Sequence, residues 1–476
     1  MRRPILLLIV VLILTSLSCK TLLPDTTSVQ PTSALQEATV EASTPQVNDP
    51  NPSPTRPAPT KDSGTSDEQP TPYPTAVLDT DIAQSMDEIQ EAVKEIRGLN
   101  TSEDMPRALL TPDELRQRVI DDFMADYTPE EAQQDLIELS ALGLIQPNFD
   151  FLTFYTELLS EQIAGFYDNE VKEMFVVQGE SFAGPERMTF AHEYVHALQD
   201  QTYDIEEGLQ YNDDSCEEDT ERCAAIQALM EGDASSVELQ WFMNYATQED
   251  QQQYFEFYND YTSPVYDSAP DFMKEDFIFP YTYGQAFVEK LMDDGGWQAV
   301  NDAYANVPVS TEQILHPEKY PDDKPVTVVL PDLLSVLGDG WSELDSNVMG
   351  EWYTYLILAK GVDTNAQIET DIASTAAEGW GGDEYAIYHN DSTGQTVLVI
   401  DWFWDRDRDA SQFANAFFDY ADARFGVKGD EQGDWWTWET SDTANLFYAN
   451  DDRTVWIYAP DLATAQALAD AMGLER

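Results

Sequence analysis

Two of the four histidines in the chain stand four residues apart, in His192-Glu193-Tyr194-Val195-His196. On a helix, residues i and i+4 share a face, so both imidazoles can point at one metal ion. Glu193 is turned aside by about 100° per residue, an offset that lets its carboxylate act on a metal-bound water instead of ligating. Zinc in a hydrolase takes three protein ligands and keeps one position open. His316 and His389 lie far along the chain, so the third ligand is sought among acids. Glu231 stands in Ala228-Leu229-Met230-Glu231-Gly232-Asp233-Ala234, with residues 197–230 between it and His196. Asp200, one turn after His196, competes for the role but would need a steep reach.

The motif has uncharged neighbours: Thr189, Phe190 and Ala191 before it, Ala197 and Leu198 after it. It resembles the extended motif of the zincin metallopeptidases, whose motif helix is buried and excludes charge except at the Glu. Glu231 on a following helix is similar to the third ligand of the gluzincin branch. The resemblance covers roughly residues 160–320. It implies a zinc cofactor held by His192, His196 and Glu231, with Glu193 as general base in the hydrolysis of a peptide or protein substrate. In many gluzincins an Asp four residues after the ligand Glu orients a histidine; here Ser235 stands there, and Asp233 is the candidate for that task. The metzincin branch fits poorly, because Thr202 occupies the place of its third histidine.

Peptide hydrolysis passes through a tetrahedral oxyanion, and a donor opposite the metal lowers its energy. Pro280-Tyr281-Thr282-Tyr283-Gly284, read as the opening of a helix, is similar to the Pro-Tyr-x-x-Gly of one-zinc aminopeptidases, although Tyr283 replaces the usual Lys. Tyr281 is the first donor candidate, with Tyr283 and His316 beside it. The rival readings are a cell-surface binding protein with an inactive or structural metal site, and a non-peptidase metallohydrolase. The chain has no P-loop, no G-x-S-x-G and no G-x-G-x-x-G.

These residues need elements to position them. The pattern from Ile82 to Leu159 predicts helices, with Thr111-Pro112-Asp113-Glu114 and Thr128-Pro129-Glu130-Glu131 as capping boxes. Two short apolar runs between Gly165 and Val177 predict a β-hairpin, placed as the edge strand that a substrate peptide joins by main-chain hydrogen bonds. Pro185 opens a helix over Met188–Asp200, and a second runs from about Ala224 to Tyr245. Shorter helices follow near Tyr283–Met292 and Trp297–Ala305. Between the two ligand helices, Cys216 and Cys223 form a disulfide candidate that would hold them in register outside the cell. Near the C-terminus, strands at Tyr385–His389, Thr396–Trp402, Trp435–Glu439, Ala444–Ala449 and Val455–Tyr458 alternate with helices at Ser411–Arg424 and Ala463–Met472. The fold class expected is α+β: a mainly helical zincin-like unit over 79–340, then an accessory unit of two ββα-like halves over 341–476.

The N-terminus speaks for export. Arg2 and Arg3 precede an apolar run from Ile5 to Leu14, too short to span a bilayer, which takes ~20 residues. Residues 1–18 read as a secretory signal, and Ser18-Cys19 resembles a bacterial lipobox, with Ser16 where Leu is usual. That resemblance implies lipidation at Cys19 and a membrane partner through that lipid. Residues 19–78 hold eleven of the 26 prolines, among Ser, Thr, Asp and Gln, and read as a disordered tether. The formal charge of −66, from 24 Lys plus Arg against 90 Asp plus Glu, excludes a nucleic-acid partner. At 42% hydrophobic and 12% aromatic residues, the chain is nonetheless built to fold.

Overall fold

The computed structural model describes residues 78–100, 105–124, 127–169, 172–178 and 181–474. The signal, Cys19 and all of the tether but Leu78 lie outside the described residues. Among the described residues, no helix is long and apolar enough to cross a membrane.

The architecture is α+β, with many helices and two sheets. The smaller sheet has the order β1-β3-β2, with β1 at Arg107–Leu110, β2 at Gly165–Asp168 and β3 at Glu173–Val177. β2 and β3 form an antiparallel hairpin, Gly165 opposite Val176, so β2 is a sheet edge. β1 interrupts the stretch expected to be helical throughout. It runs parallel to β3, Arg107 opposite Met174. Pro106 and Pro112 flank it, and the extended backbone they impose suits a strand. Thr111 and Thr128 cap the next helices, each hydroxyl accepting from the N–H of the Glu three residues on.

The larger sheet has seven strands in the order β4-β5-β6-β10-β9-β8-β7. They are β4 Ser342–Asn347, β5 Trp380–Asn390, β6 Gln395–Trp404, β7 Asp430–Gln432, β8 Trp435–Glu439, β9 Ala444–Asn450 and β10 Arg453–Ala459. The β6–β10 pairing joins a β5-β6-helix half to a β9-β10-helix half, with helices at Asp407–Phe425 and Leu462–Ala471. β4, β7 and the helices Gly350–Ala359 and Thr370–Ala377 were not signalled by the sequence. Helix Gly350–Ala359 is buried on nearly all sides, so it has no polar face to mark its period.

Three helices make the centre of the molecule. The histidine helix, Gly184–Tyr203, is buried continuously from Met188 to Asp200. The Glu231 helix, Thr220–Asn244, is buried continuously from Ala225 to Glu238. The third, Asp271–Gly295, corrects the expectation that Pro280 opens a helix: the proline lies inside it. Pro280 removes one backbone bond, but Phe272, Met273, Phe277 and Phe279 are buried and hold the preceding turns in the core. This helix crosses the Glu231 helix at two glycines. A Cβ on Gly284 would sit 2.0 Å from the Ala228 carbonyl oxygen, and one on Gly232 would sit 2.1 Å from that of Gly284.

Candidate metal centre

The histidine helix puts His192 and His196 on one face, and the Glu231 helix packs against that face. One donor atom from each of His192, His196 and Glu231 lies within 4.8 Å of the others. His192 Nε2 is 3.1 Å from Glu231 Oε2, and His196 Nε2 is 3.4 Å from the same oxygen. Two imidazoles and a carboxylate are a donor set suited to zinc. In the bare protein, burial would raise the Glu231 carboxyl, but His196 and His192 overcome it and hold its pKa below the usual range. Burial would likewise lower the His192 imidazole, and hydrogen bonds to Glu231 and Glu238 raise it instead.

The surroundings of the group test the fit. Glu193 and His192 are 0% exposed, Glu231 1% and His196 3%. Within that enclosure His196 Nε2 and both Glu193 carboxylate oxygens make no hydrogen bond among the described residues. Each such buried polar atom costs about 1–3 kcal/mol unless something meets it. Their concentration at one point fits a cation held by the two imidazoles and Glu231, with Glu193 beside it. Burial drives the Glu193 carboxyl well above its ordinary pKa; His192 opposes this, while Glu231 and Glu238 add to it.

Each histidine is oriented from behind. His192 Nδ1 lies 2.9 Å from Glu238 Oε2. Glu238 was missed in the sequence; it stands seven residues after Glu231, two helical turns along the same face. His196 Nδ1 lies 2.8 Å from Gln199 Oε1. The Gln199 amide donates to the Met230 carbonyl at 2.9 Å and to Asp233 Oδ2 at 3.3 Å. That fixes its oxygen toward His196, so Nδ1 carries the proton and Nε2 presents its lone pair.

Asp233 thus reaches His196 through Gln199 instead of touching a histidine directly. Its carboxylate takes Arg97 Nε at 2.8 and 3.0 Å and the Tyr304 hydroxyl at 2.9 Å. Arg97 ends the helix Thr80–Arg97, is fully buried, stacks over Trp297 and donates to Asn301 Oδ1 at 2.7 Å. Asp200 is occupied elsewhere. Its Oδ2 accepts from the Tyr167 hydroxyl and Lys172 Nζ, both at 2.7 Å, which ties the hairpin to the end of the histidine helix.

The donor candidates separate. Tyr281 is buried with its ring centroid 6.3 Å from that of His192. Tyr283 packs against Phe279 and Trp352. His316 Nε2 is 2.8 Å from Glu351 Oε1, in a group with Glu312 and Lys319, and is not part of the histidine–glutamate cluster. His389 pairs with Thr396 on the large sheet. β2 passes beside Glu193: a Cβ on Gly165 would sit 2.7 Å from Thr189 Cγ2 and 3.4 Å from Glu193 Cγ.

Residues 336–469 match the family model of a domain of unknown function, DUF8575. No curated protein and no solved structure matches the chain. The matched segment contains the large sheet and none of the three clustered side chains. It grips the Glu231 helix and the third helix that crosses it. Asn347 Oδ1 accepts from the Thr220 N–H and hydroxyl, each at 3.1 Å, at the start of the Glu231 helix. Trp352 Nε1 and the Tyr353 hydroxyl donate to Asp276 at 2.8 and 2.7 Å, on the third helix. Cys216, on the short helix Asp213–Glu218, and Cys223, in the first turn of the Glu231 helix, are joined by a disulfide with Cα atoms 5.5 Å apart.

Proposed function

We propose that this chain is a zinc-dependent peptidase of gluzincin type, acting outside the cell on peptide or protein substrates and anchored through lipid on Cys19. The observation that carries the reading is the convergence of His192, His196 and Glu231 within 4.8 Å beside a Glu193 whose buried oxygens make no hydrogen bond among the described residues. Zinc, when bound, would lower the pKa of a water to ~7 and polarise the scissile carbonyl.

The chain's own residues supply the rest. Glu193 is kept out of the ligand set by its place on the helix, and its raised pKa suits a group that takes a proton and returns it to the leaving amine. Glu238 and Gln199 hold the imidazoles in the tautomer that leaves both Nε2 atoms free to ligate. β2, a sheet edge beside Glu193, supports strand addition as the mode of substrate binding. Tyr281 is near enough to His192 to line the site.

The test pairs Glu193→Gln with metal analysis. Cleavage of casein by wild type should stop with chelator and return with zinc. Glu193→Gln should lose about 100-fold or more of that activity and keep its zinc. Loss of metal in this variant would refute the assignment of Glu193 as base. One observation favours the second reading, a surface binding protein with a structural metal: Glu193 is 0% exposed, so substrate reaches it only if a covering element moves. Zinc retained with no turnover in wild type would decide for that reading.

A further inference from the structure

The segment that matches the family model leaves part of its large sheet uncovered. Helix Leu462–Ala471 packs on one face of the sheet, with Ala465, Leu468 and Ala469 in a core shared with Leu446, Val455 and Ile457. Beyond it a groove opens over β7 and β8, with Leu462 and Gln466 of the helix in its lining. Strand alternation makes the floor. Trp435, Thr437 and Glu439 point the same way from β8, and Leu446 of β9 lies opposite Thr437. Asp430 and Gln432 of β7, opposite Thr437 and Trp435, carry the floor to the sheet edge. Val427 and Lys428 complete the lining. The cavity measures about 530 Å³, within the ~300–1,000 Å³ usual for ligand clefts.

The groove is preformed. Asp422, on helix Asp407–Phe425, accepts from Lys428 Nζ at 2.5 Å and from the Gly429 N–H and Trp438 Nε1, both at 2.9 Å, which fixes the loop before β7. The Ala449 N–H donates to the Asp434 carbonyl at 3.0 Å, which ties the β7–β8 turn to β9. The Trp435 ring lies 5.0 Å from that of Tyr448. Lys428 is thus neutralised by Asp422, outside the groove. A ligand therefore meets two exposed carboxylates, Asp430 and Glu439, around an apolar floor of Trp435 and Leu446.

Charge selects the occupant. The tether between Cys19 and Leu78 has three basic residues against seven acidic ones, and a second copy of the chain brings a charge of −66. An acidic cleft repels both, as it repels any anionic polymer. A peptide that alternates apolar and basic residues matches both features. When it is extended, its apolar side chains share one face, and its long basic side chains can bend to the rim. We propose that this groove, in the segment of unknown function, binds an extended cationic peptide, with apolar side chains on Trp435 and Leu446 and lysines or arginines against Asp430 and Glu439. The assignment does not depend on the metal centre.

The test is calorimetric binding to the full chain carrying Glu193→Gln, so that binding is read without turnover and stands apart from the peptidase reading. The probe is the amidated hexapeptide acetyl-Leu-Lys-Leu-Lys-Leu-Lys; its control has Glu in place of every Lys. The probe should bind and the control should not. Asp430→Asn with Glu439→Gln should weaken the probe about 10-fold. Thr437→Lys, which places a cation on the floor, should abolish binding. Glu88→Gln with Glu91→Gln, an equal loss of charge on helix Thr80–Arg97, should change affinity less than about 2-fold. Raising salt from about 50 to about 500 mM should weaken the probe roughly 10-fold. Absence of binding would overturn the proposal, as would equal affinity for the acidic control. Equal or greater weakening by the Glu88 and Glu91 pair would also overturn it, in favour of unspecific attraction to the acidic surface.

Discussion

A histidine offers Nε2 to a metal only while Nδ1 keeps the proton, and Glu238 enforces this for His192 across 2.9 Å. Removing the acceptor should cost metal affinity without touching a ligand. Glu238→Ala should bind zinc about 10–100-fold more weakly in competition with a chelator; wild-type affinity would leave Glu238 no part in the site. Glu231→Ala is the sharper change and should strip the metal. Full zinc occupancy in that variant would move the third ligand to another acid. At this scale the amino-acid order marks the histidine pair by its four-residue spacing. It does not mark Glu238, because a seven-residue interval from Glu231 distinguishes nothing among 90 acidic residues. Asp233 is conspicuous beside Glu231, yet helix geometry turns it about 200° from its neighbour two positions back, toward Gln199 and Arg97.

Between elements, the placement of Glu231 depends on how closely its helix meets Asp271–Gly295. With the Ala228 carbonyl 2.0 Å from where a Gly284 Cβ would sit, Gly284→Ala must push the helices apart. Unfolding in urea should show a loss of about 1–3 kcal/mol, accompanied by weaker zinc binding; stability and affinity both at wild-type levels would show that the crossing tolerates a shift. Breaking the disulfide with Cys216→Ser and Cys223→Ser removes a constraint over a short loop, worth roughly 2–3 kcal/mol in the chain-entropy account. The same glycines show what periodicity reveals and what it hides. Pro280 reads as a helix start because proline favours first turns, and only the buried phenylalanines before it show that the helix is already under way. β1 is hidden for a related reason: four residues between two prolines carry too little pattern, and its partner β3 is more than sixty residues away.

For the molecule as a whole, buried acids couple the fold to pH. Burial raises Asp276 to about 6, against donors from Tyr353 and Trp352. It raises Asp383 to about 7, against the Met349 and Gly350 amides and Trp380. It raises Glu312 to about 8, against Lys319. A carboxyl whose folded pKa exceeds its unfolded value near 4 contributes stability that is complete below about pH 4 and lost as pH rises through the folded pKa. The metal-free protein should therefore melt about 5 °C or more higher at pH 5 than at pH 8. A flat profile across that window would mean that these carboxyls are ionised at little cost. The overall charge of −66 acts in the same direction, since every proton gained relieves self-repulsion. Asp276 and Lys319 also show why the joint between the two halves could not be foreseen: Trp352 donates to the first and the second donates to Asp405, pairs that only the folded chain brings together.

The Arg97–Asp233 pair spans 136 residues of chain, whereas His192 and Glu231 lie within 39 of one another. Loop-closure entropy grows with that separation, and distant contacts form later. The three clustered side chains can therefore gather while the N-terminal helix is still undocked, with Arg97 arriving as the last brace. In kinetic terms, the ion would act as a folding nucleus and the guanidinium as the latch that slows its escape. Arg97→Met should accordingly speed zinc dissociation far more than it slows zinc capture, a difference that stopped-flow chelation would resolve.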